Sequence, residues 1–206
     1  FTVAKPTRAQ RRPLPPLRVR AGLQRVIDSM VGIPAVLLGH RMDVLASNHL
    51  ARALYFDFDD APPRDRNMAR FIFLDDAARG LYADWEGAAR GVVASLRLYA
   101  GRHPNDPQLA ELIGELSLRD EDFRGWWADH DVFQRSHGTK VYHHPVVGEM
   151  TLAYETLTPT GDPDLVLGLS TAQPGSPSEV ALRLLDSWSR SVGEVVEERV
   201  ARHEEQ

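Results

Sequence analysis

Histidine and acidic side chains are the groups in this sequence with the greatest capacity for chemistry. Asp129, His130 and Asp131 are consecutive, and carboxylates beside an imidazole can polarise it as a general base. Such a base needs a nucleophile, yet no serine or cysteine stands in the context of a nucleophile elbow. His143 and His144 are adjacent in a stretch with strand alternation, so their side chains should point to opposite faces and cannot bind one metal ion together. The sequence therefore favours a protein that is not an enzyme and has no metal or cofactor of its own.

A different kind of chemistry, the binding of an apolar molecule, is suggested by the stretch 81–116. Apolar residues recur there at steps of three and four, which predicts an amphipathic helix of about six turns. Arg97 lies near the end of this helix, where it either caps the last carbonyls or reaches inward as a single charge among apolar side chains. The apolar positions are Leu81, Trp85, Ala88, Val92, Leu96 and Tyr99.

Composition limits the class of protein. The 206 residues are 43% hydrophobic, which is enough for one large domain with a substantial core. A net charge of -5 argues against a nucleic-acid surface spread over the whole chain. The sequence has no cysteine and no apolar run near the roughly 20 residues that span a bilayer. We therefore expect a cytoplasmic protein with no membrane partner.

The first 20 residues differ in composition from the rest of the chain. They contain six basic residues, no acidic residue and four prolines, with no periodic apolar pattern. Such a segment is a proline-stiffened linker, either a solvated tail or a tether from an N-terminal module. We therefore divide the chain into a linker, 1–20, and a folded domain, 21–206.

The period of the apolar residues changes along the folded domain and predicts its fold class. Two short strands come first, a block of helices follows, and three alternating strands precede a long final helix. This order is typical of an α+β fold: a PAS-like five-stranded antiparallel sheet with helices packed on one face and a long C-terminal helix. The predicted strands are 35–40, 43–46, 140–144, 150–155 and 165–171, and the final helix begins at Ser178.

Several separated motifs are specific enough to compare with known families. They include DVLASN from Asp43, RGLYADW from Arg79, VASLRLYAGR from Val93, FRGWWADH from Phe123, HPVVG from His144 and TAQPGS from Thr171. In this order they resemble the MmyB-like transcription-regulator ligand-binding domain, over a span from about Pro13 to Leu185. One departure is Asp75-Asp76, where the family usually has Asp-Pro, and this alters only a helix start.

The resemblance implies a function as well as a fold. It implies a sensor domain whose interior holds a fatty acid, joined in such regulators to an N-terminal XRE-type helix-turn-helix. Because the sequence begins in the implied linker, DNA binding is expected only through that missing domain. The function expected is thus modulation of DNA binding by a fatty acid or similar apolar molecule.

A fatty acid needs an apolar chamber with a polar group for its carboxylate. The alternative is that the same residues form an ordinary filled core and that Arg97 makes a surface ion pair. The candidates for the polar end are Asn48, Arg97, His130 and His144, and those for the wall are Trp85, Val92, Leu96, Trp127, Val132, Leu152 and Tyr154.

The final helix offers a second role. Leu184, Trp188, Val192 and Val195 are spaced as a seam for a second copy of the helix, so we expect a homodimer. The alternative function for the whole domain is a dimerisation or interaction scaffold with a filled core and no ligand.

Overall fold

A computed structural model describes residues 19–129 and 136–204, with side chains as far as residue 191. Within these ranges the chain forms eight helices and five strands. No helix in them is long and apolar enough to cross a membrane. Most of the predicted linker, residues 1–18, lies outside the described part. In chain order the elements are α1 (Ala21–Asp28), β1 (Ala35–Leu38), β2 (Val44–Ser47), α2 (His49–Leu54), α3 (Met68–Leu74), α4 (Asp76–Leu81), α5 (Trp85–Arg102), α6 (Pro107–Arg119), α7 (Glu121–Ala128), β3 (His137–His144), β4 (Gly148–Leu157), β5 (Val166–Ala172) and α8 (Pro177–Glu204).

The five strands form one antiparallel sheet with the order β2-β1-β5-β4-β3. The first and last strands of the chain, β1 and β5, are central neighbours, with Val36 opposite Gly168. The hairpin of β3 and β4 extends the sheet to one side, and Tyr142 pairs there with Met150. The predicted PAS-like α+β class, with its five-stranded antiparallel sheet and C-terminal helix, is confirmed.

The inner face of the sheet carries the main hydrophobic core. Alternate strand residues such as Val36, Tyr142 and Leu152 point towards helices α2 to α8. This core also includes Leu96 of α5 and Leu185 of α8. The long C-terminal helix thus packs its first half on the sheet, against β4, β5 and α2.

A smaller core lies on the opposite face of the sheet. Ala35 and Leu37 of β1 are fully buried there against Ile27 of α1 and Leu167 of β5. The prediction that helices cover one face was therefore incomplete, since α1 covers the other. Burial on both faces explains why β1 is apolar at every position, whereas β4 alternates.

The predicted six-turn helix beginning at Leu81 is wrong at its start. Leu81 ends α4, and the chain is extended at Tyr82, which forms a β-bridge with Tyr142. The backbone N–H of Ala83 also donates to the carbonyl of Val141, 3.0 Å away. Asp84 then starts α5 by accepting a hydrogen bond from the Gly87 N–H. This break fixes the beginning of α5 to β3.

The other end of α5 is fixed by a buried carboxylate. Asp106, the N-cap of α6, accepts hydrogen bonds from the Tyr99 hydroxyl at 2.8 Å and from the Arg41 guanidinium at 3.1 Å. Burial by itself would raise the pKa of Asp106, but these hydrogen bonds outweigh it and lower that pKa. Arg41 lies in the β1–β2 turn, so Asp106 ties the end of α5 to the sheet.

Asn48 organises the junction between α1, β1 and α2. Its Oδ1 accepts from the backbone N–H groups of Ala35 and Ala51, at 3.1 and 3.0 Å. Its Nδ2 donates to the carbonyls of Met30 and Ile33, at 3.1 and 2.7 Å. One buried amide therefore satisfies four backbone groups, and it acts as the N-cap of α2.

We expect Asn48→Ala to lower the free energy of unfolding by about 2–4 kcal/mol, because a helix cap is lost and buried backbone groups lose their partners. Urea unfolding followed by circular dichroism measures this change. Asn105→Ala, at an exposed asparagine before α6, is the matched control and should change stability little. Equal losses for the two variants would contradict the assigned role of Asn48.

Candidate ligand-binding cavity

A cavity of about 1180 Å³ lies between the inner face of the sheet and helix α5. This volume is slightly above the range of roughly 300–1,000 Å³ that is typical of small-molecule sites. Residues such as Leu98, Arg102 and Thr158 line it and are also exposed, so they mark its edge towards solvent. The apolar part of the lining includes Val36, Leu38, Met42, Met68, Ile72, Val92, Leu98 and Val166.

Three of the tyrosines that line this cavity, Tyr55, Tyr82 and Tyr142, are grouped together. Tyr142 lies between Tyr82 and Tyr55, with ring centroids 5.2 and 6.2 Å from theirs. The hydroxyl oxygens of Tyr55 and Tyr142 are 3.4 Å apart. Burial raises the pKa of all three phenols. They therefore present neutral hydroxyl groups, which can hydrogen-bond a ligand but cannot neutralise a charge.

Two glycines help to keep the cavity open. At Gly91, in α5, a Cβ would have no neighbour within 4 Å. At Gly168, in β5, a Cβ would lie 3.4 Å from Cγ1 of Val36, its partner on β1. A larger side chain at either position would occupy space that is now part of the cavity.

The imidazole of His40 forms part of the lining near the end of α5. It stacks on Tyr99 with ring centroids 4.2 Å apart, and the ring of His103 follows at 5.9 Å. Burial, together with the nearby Arg41 guanidinium, lowers the pKa of His40. This side chain is therefore an uncharged aromatic wall at neutral pH.

Lys140 brings a positive charge to the cavity. It lies on the inward side of β3, and its Nζ is 4.8 Å from the ring centroid of Tyr154 and 5.6 Å from that of Tyr82. Burial lowers the pKa of this ammonium group. No aspartate or glutamate in residues 19–129 or 136–191 forms an ion pair with it.

The predicted wall residues occupy several different places. Val92 and Tyr154 line the cavity together. Leu96 and Leu152 are fully buried in the main core but do not line the cavity. The side chain of Val132 falls outside the described residues.

Two predicted wall residues, Trp85 and Trp127, lie in an aromatic cluster away from the cavity. The Trp85 indole donates to the carbonyl of Ile72 at 2.9 Å. Trp127 stacks on Phe123, with ring centroids 5.7 Å apart. The first contact packs α5 against α3, and the second lies within α7.

Of the predicted polar end, the three described residues Asn48, Arg97 and His144 do not line the cavity. Asn48 holds the α1–β1–α2 junction, and Arg97 donates to the carbonyls of Trp126 and Trp127 at the end of α7. The guanidinium thus caps a neighbouring helix, one of the roles expected for it, though on α7 and not on its own helix. His130 lies outside the described part of the chain. As ligand contacts, all four candidates stay predictions.

His144, the fourth candidate, lies at a smaller hollow of about 460 Å³ between α2, α4 and the β3–β4 turn. Its Nε2 donates to the carbonyl of Ala53 at 2.9 Å, and its Nδ1 accepts from the N–H of Val146 at 3.2 Å. Burial lowers the pKa of His144, although the bond to Ala53 opposes this. A neutral imidazole with both nitrogens engaged holds this turn in place. In the described ranges no three acidic or histidine side chains come together as a metal site.

Lys140, Gly91 and Gly168 line the cavity but are not among the residues predicted to contact a ligand. For Lys140 a signal was present, because strand alternation places it on the same face as Tyr142. For the two glycines no sequence signal distinguishes an unfilled space from an ordinary glycine in a helix or strand.

Comparison with known proteins places this chain in a family. No curated protein matches the chain. The family model for the MmyB-like transcription regulator ligand binding domain matches residues 19–185, which is most of the length of this chain. That family consists of the ligand-binding domains of regulators and is not a family of enzymes. By this match, the chain belongs to the MmyB-like transcription-regulator ligand-binding-domain family.

Proposed function

We propose that this domain senses a fatty acid or a similar apolar small molecule and thereby modulates DNA binding by a helix-turn-helix domain joined to its N-terminus. The observation that carries the proposal is the largely apolar cavity of about 1180 Å³ between the sheet and α5. An interaction scaffold, the alternative function, has no need for such a space, and unfilled apolar volume lowers stability. The cavity therefore favours the sensor over the scaffold.

The energetics of burial suit a long acyl chain. Each methylene transferred from water gains about 0.8 kcal/mol. A dozen methylenes therefore gain on the order of 10 kcal/mol before the entropic costs of association are subtracted. Such a ligand can bind without a large number of polar contacts.

Strand β1 offers a route from the ligand to the N-terminus. Its Val36 and Leu38 line the cavity, while the intervening Leu37 packs against Ile27 of α1. Helix α1 directly follows the predicted linker. A ligand that shifts β1 would therefore shift α1, provided that it binds the two arrangements with different affinity. Since its output is transcription, we assign the protein to the cytoplasm.

We further propose that α8 forms a homodimer seam. Its Leu184 is 59% exposed and Trp188 is 44% exposed, one turn apart on a single side of the helix. Val180 continues the same row one turn earlier and is 47% exposed. Apolar side chains in such a row suit a second copy of the helix, as in regulators that bind two-fold symmetric sites.

We expect Gly91→Leu to abolish ligand binding, since the new side chain occupies the cavity. Native mass spectrometry with lipid extraction, and thermal shift with tetradecanoic acid, measure the effect. Gly114→Leu is the matched control, because Gly114 is an exposed glycine of α6 where a Cβ also has no neighbour within 4 Å. Both changes replace glycine in a helix and should preserve the fold or stabilise it by up to about 1 kcal/mol.

Wild-type protein that carries no lipid and gives no thermal shift with long-chain acids or alcohols would argue for the scaffold. Undiminished binding in Gly91→Leu, with the fold intact, would place the ligand elsewhere.

For the seam we expect Leu184→Glu to convert dimer to monomer in sedimentation equilibrium, because a buried carboxylate would face its copy without a partner. Leu118→Glu is the control, since Leu118 is 85% exposed on α6 and lies off this row. If the wild-type protein is a monomer at high concentration, the proposed dimer seam is wrong, and the ligand proposal is unaffected.

A further inference from the structure

The positive charges around the cavity differ in what they already contact. Arg90 is exposed and donates to Glu86 at 2.8 Å. Arg102 is exposed at the end of α5, with its Nε directed to the carbonyl of Leu98. Lys140 is only partly exposed and makes no ion pair with any described residue. Of these cations, Lys140 has the least compensation for its charge.

The surroundings of Lys140 stabilise its positive charge without forming hydrogen bonds to its ammonium group. The rings of Tyr82 and Tyr154 lie within 6 Å of the ammonium nitrogen, a distance at which a π-face attracts a cation. These rings accept no conventional hydrogen bond at their faces, so the three N–H donors stay available. An ammonium in a partly desolvated wall is costly without an anionic partner. Since no residue in the described part of the chain supplies that partner, a ligand is best suited to supply it.

The same cavity that Lys140 lines also has apolar lining residues. Tyr154 lies beside Lys140, and Val36, Val92 and Val166 are other residues of the lining. A molecule with one anionic end and one long apolar end thus meets a cation and then an apolar channel in the same space.

We infer that the Lys140 ammonium binds the anionic head group of the ligand, a carboxylate, while the acyl chain lies against the apolar wall of the cavity. The inference rests on the proposed sensor function and assigns the head-group role to a residue on β3 rather than to Arg97 on α5. It makes Lys140 the residue that selects fatty acids over neutral lipids of the same length.

The test compares tetradecanoic acid with tetradecanol on wild-type protein and on Lys140→Gln. We expect the variant to lose about 10- to 100-fold in affinity for the acid, the range for a hydrogen bond to a charged group. Affinity for the alcohol should stay unchanged, because the apolar contacts are the same. Lys140→Arg, which keeps the charge, should retain most of the preference for the acid.

A direct readout uses the fact that Lys5 and Lys140 are the only lysines in the sequence. With lysine labelled at its ε-carbon, the acid should shift one of two side-chain resonances, and Lys5→Gln assigns the other. The alcohol should leave the Lys140 resonance nearly unmoved. This measurement on wild-type protein does not depend on whether a variant folds.

Several results would overturn the inference. Equal loss of acid and alcohol in Lys140→Gln would make the residue structural, and unchanged acid affinity would remove it from the site. Selective loss of the acid in Arg97→Gln, but not in Lys140→Gln, would assign the head group to Arg97. In each case the sensor function stands, whereas failure of wild-type protein to bind either lipid would overturn that function itself.

Discussion

Helix α5 is held against the sheet at its two ends and not along its middle, and the cavity depends on this arrangement. At one end, the break at Tyr82 joins the chain to β3 by a β-bridge and the Ala83 hydrogen bond. At the other, Asp106 connects Tyr99 to Arg41 in the β1–β2 turn. The second connection uses a buried carboxylate, whose hydrogen bonds are strong in a medium of low dielectric constant. The two connections fix the distance between helix α5 and the sheet, and the cavity between them therefore stays open.

The side chains between these two fixed ends are too small to fill the gap. Gly91 in α5 and Gly168 in β5 present no side chain to it. Elsewhere α5 is densely packed, because Leu96 and the aromatic cluster around Trp85 fill the space next to α3 and α7. Helix α5 is therefore closely packed on the side that faces α3 and α7, and it borders the cavity on the other side. That combination suits a receptor, since the scaffold stays stable while the binding space is empty.

Sequence periodicity was sufficient for the fold but only partly sufficient for the site. The change from helical to alternating spacing gave all five strands and the terminal helix, because burial on one face imposes those periods. Val92 and Tyr154 reach the cavity for the same reason. Asn48, Arg97 and His144 are polar residues in apolar surroundings, as a head-group site requires, yet each contacts backbone carbonyls from distant segments. Sequence spacing cannot separate these two uses, since both require a buried donor.

Lys140, by contrast, lines the cavity but was not predicted to do so. Alternation along β3 placed Lys140 beside Tyr142, but a long aliphatic side chain on an inner face can turn its charge back to water. Only the positions of Tyr82 and Tyr154 show that the ammonium lies over two rings at the cavity.

The position of the Lys140 charge also bears on signalling. A head group held on β3 and an acyl chain against Val36 of β1 would connect the edge strand of the sheet to the strand that contacts α1. A carboxylic acid would thus engage both ends of this path, whereas a neutral lipid would engage only the apolar one. Affinity and output can therefore differ between ligands that fill the same volume.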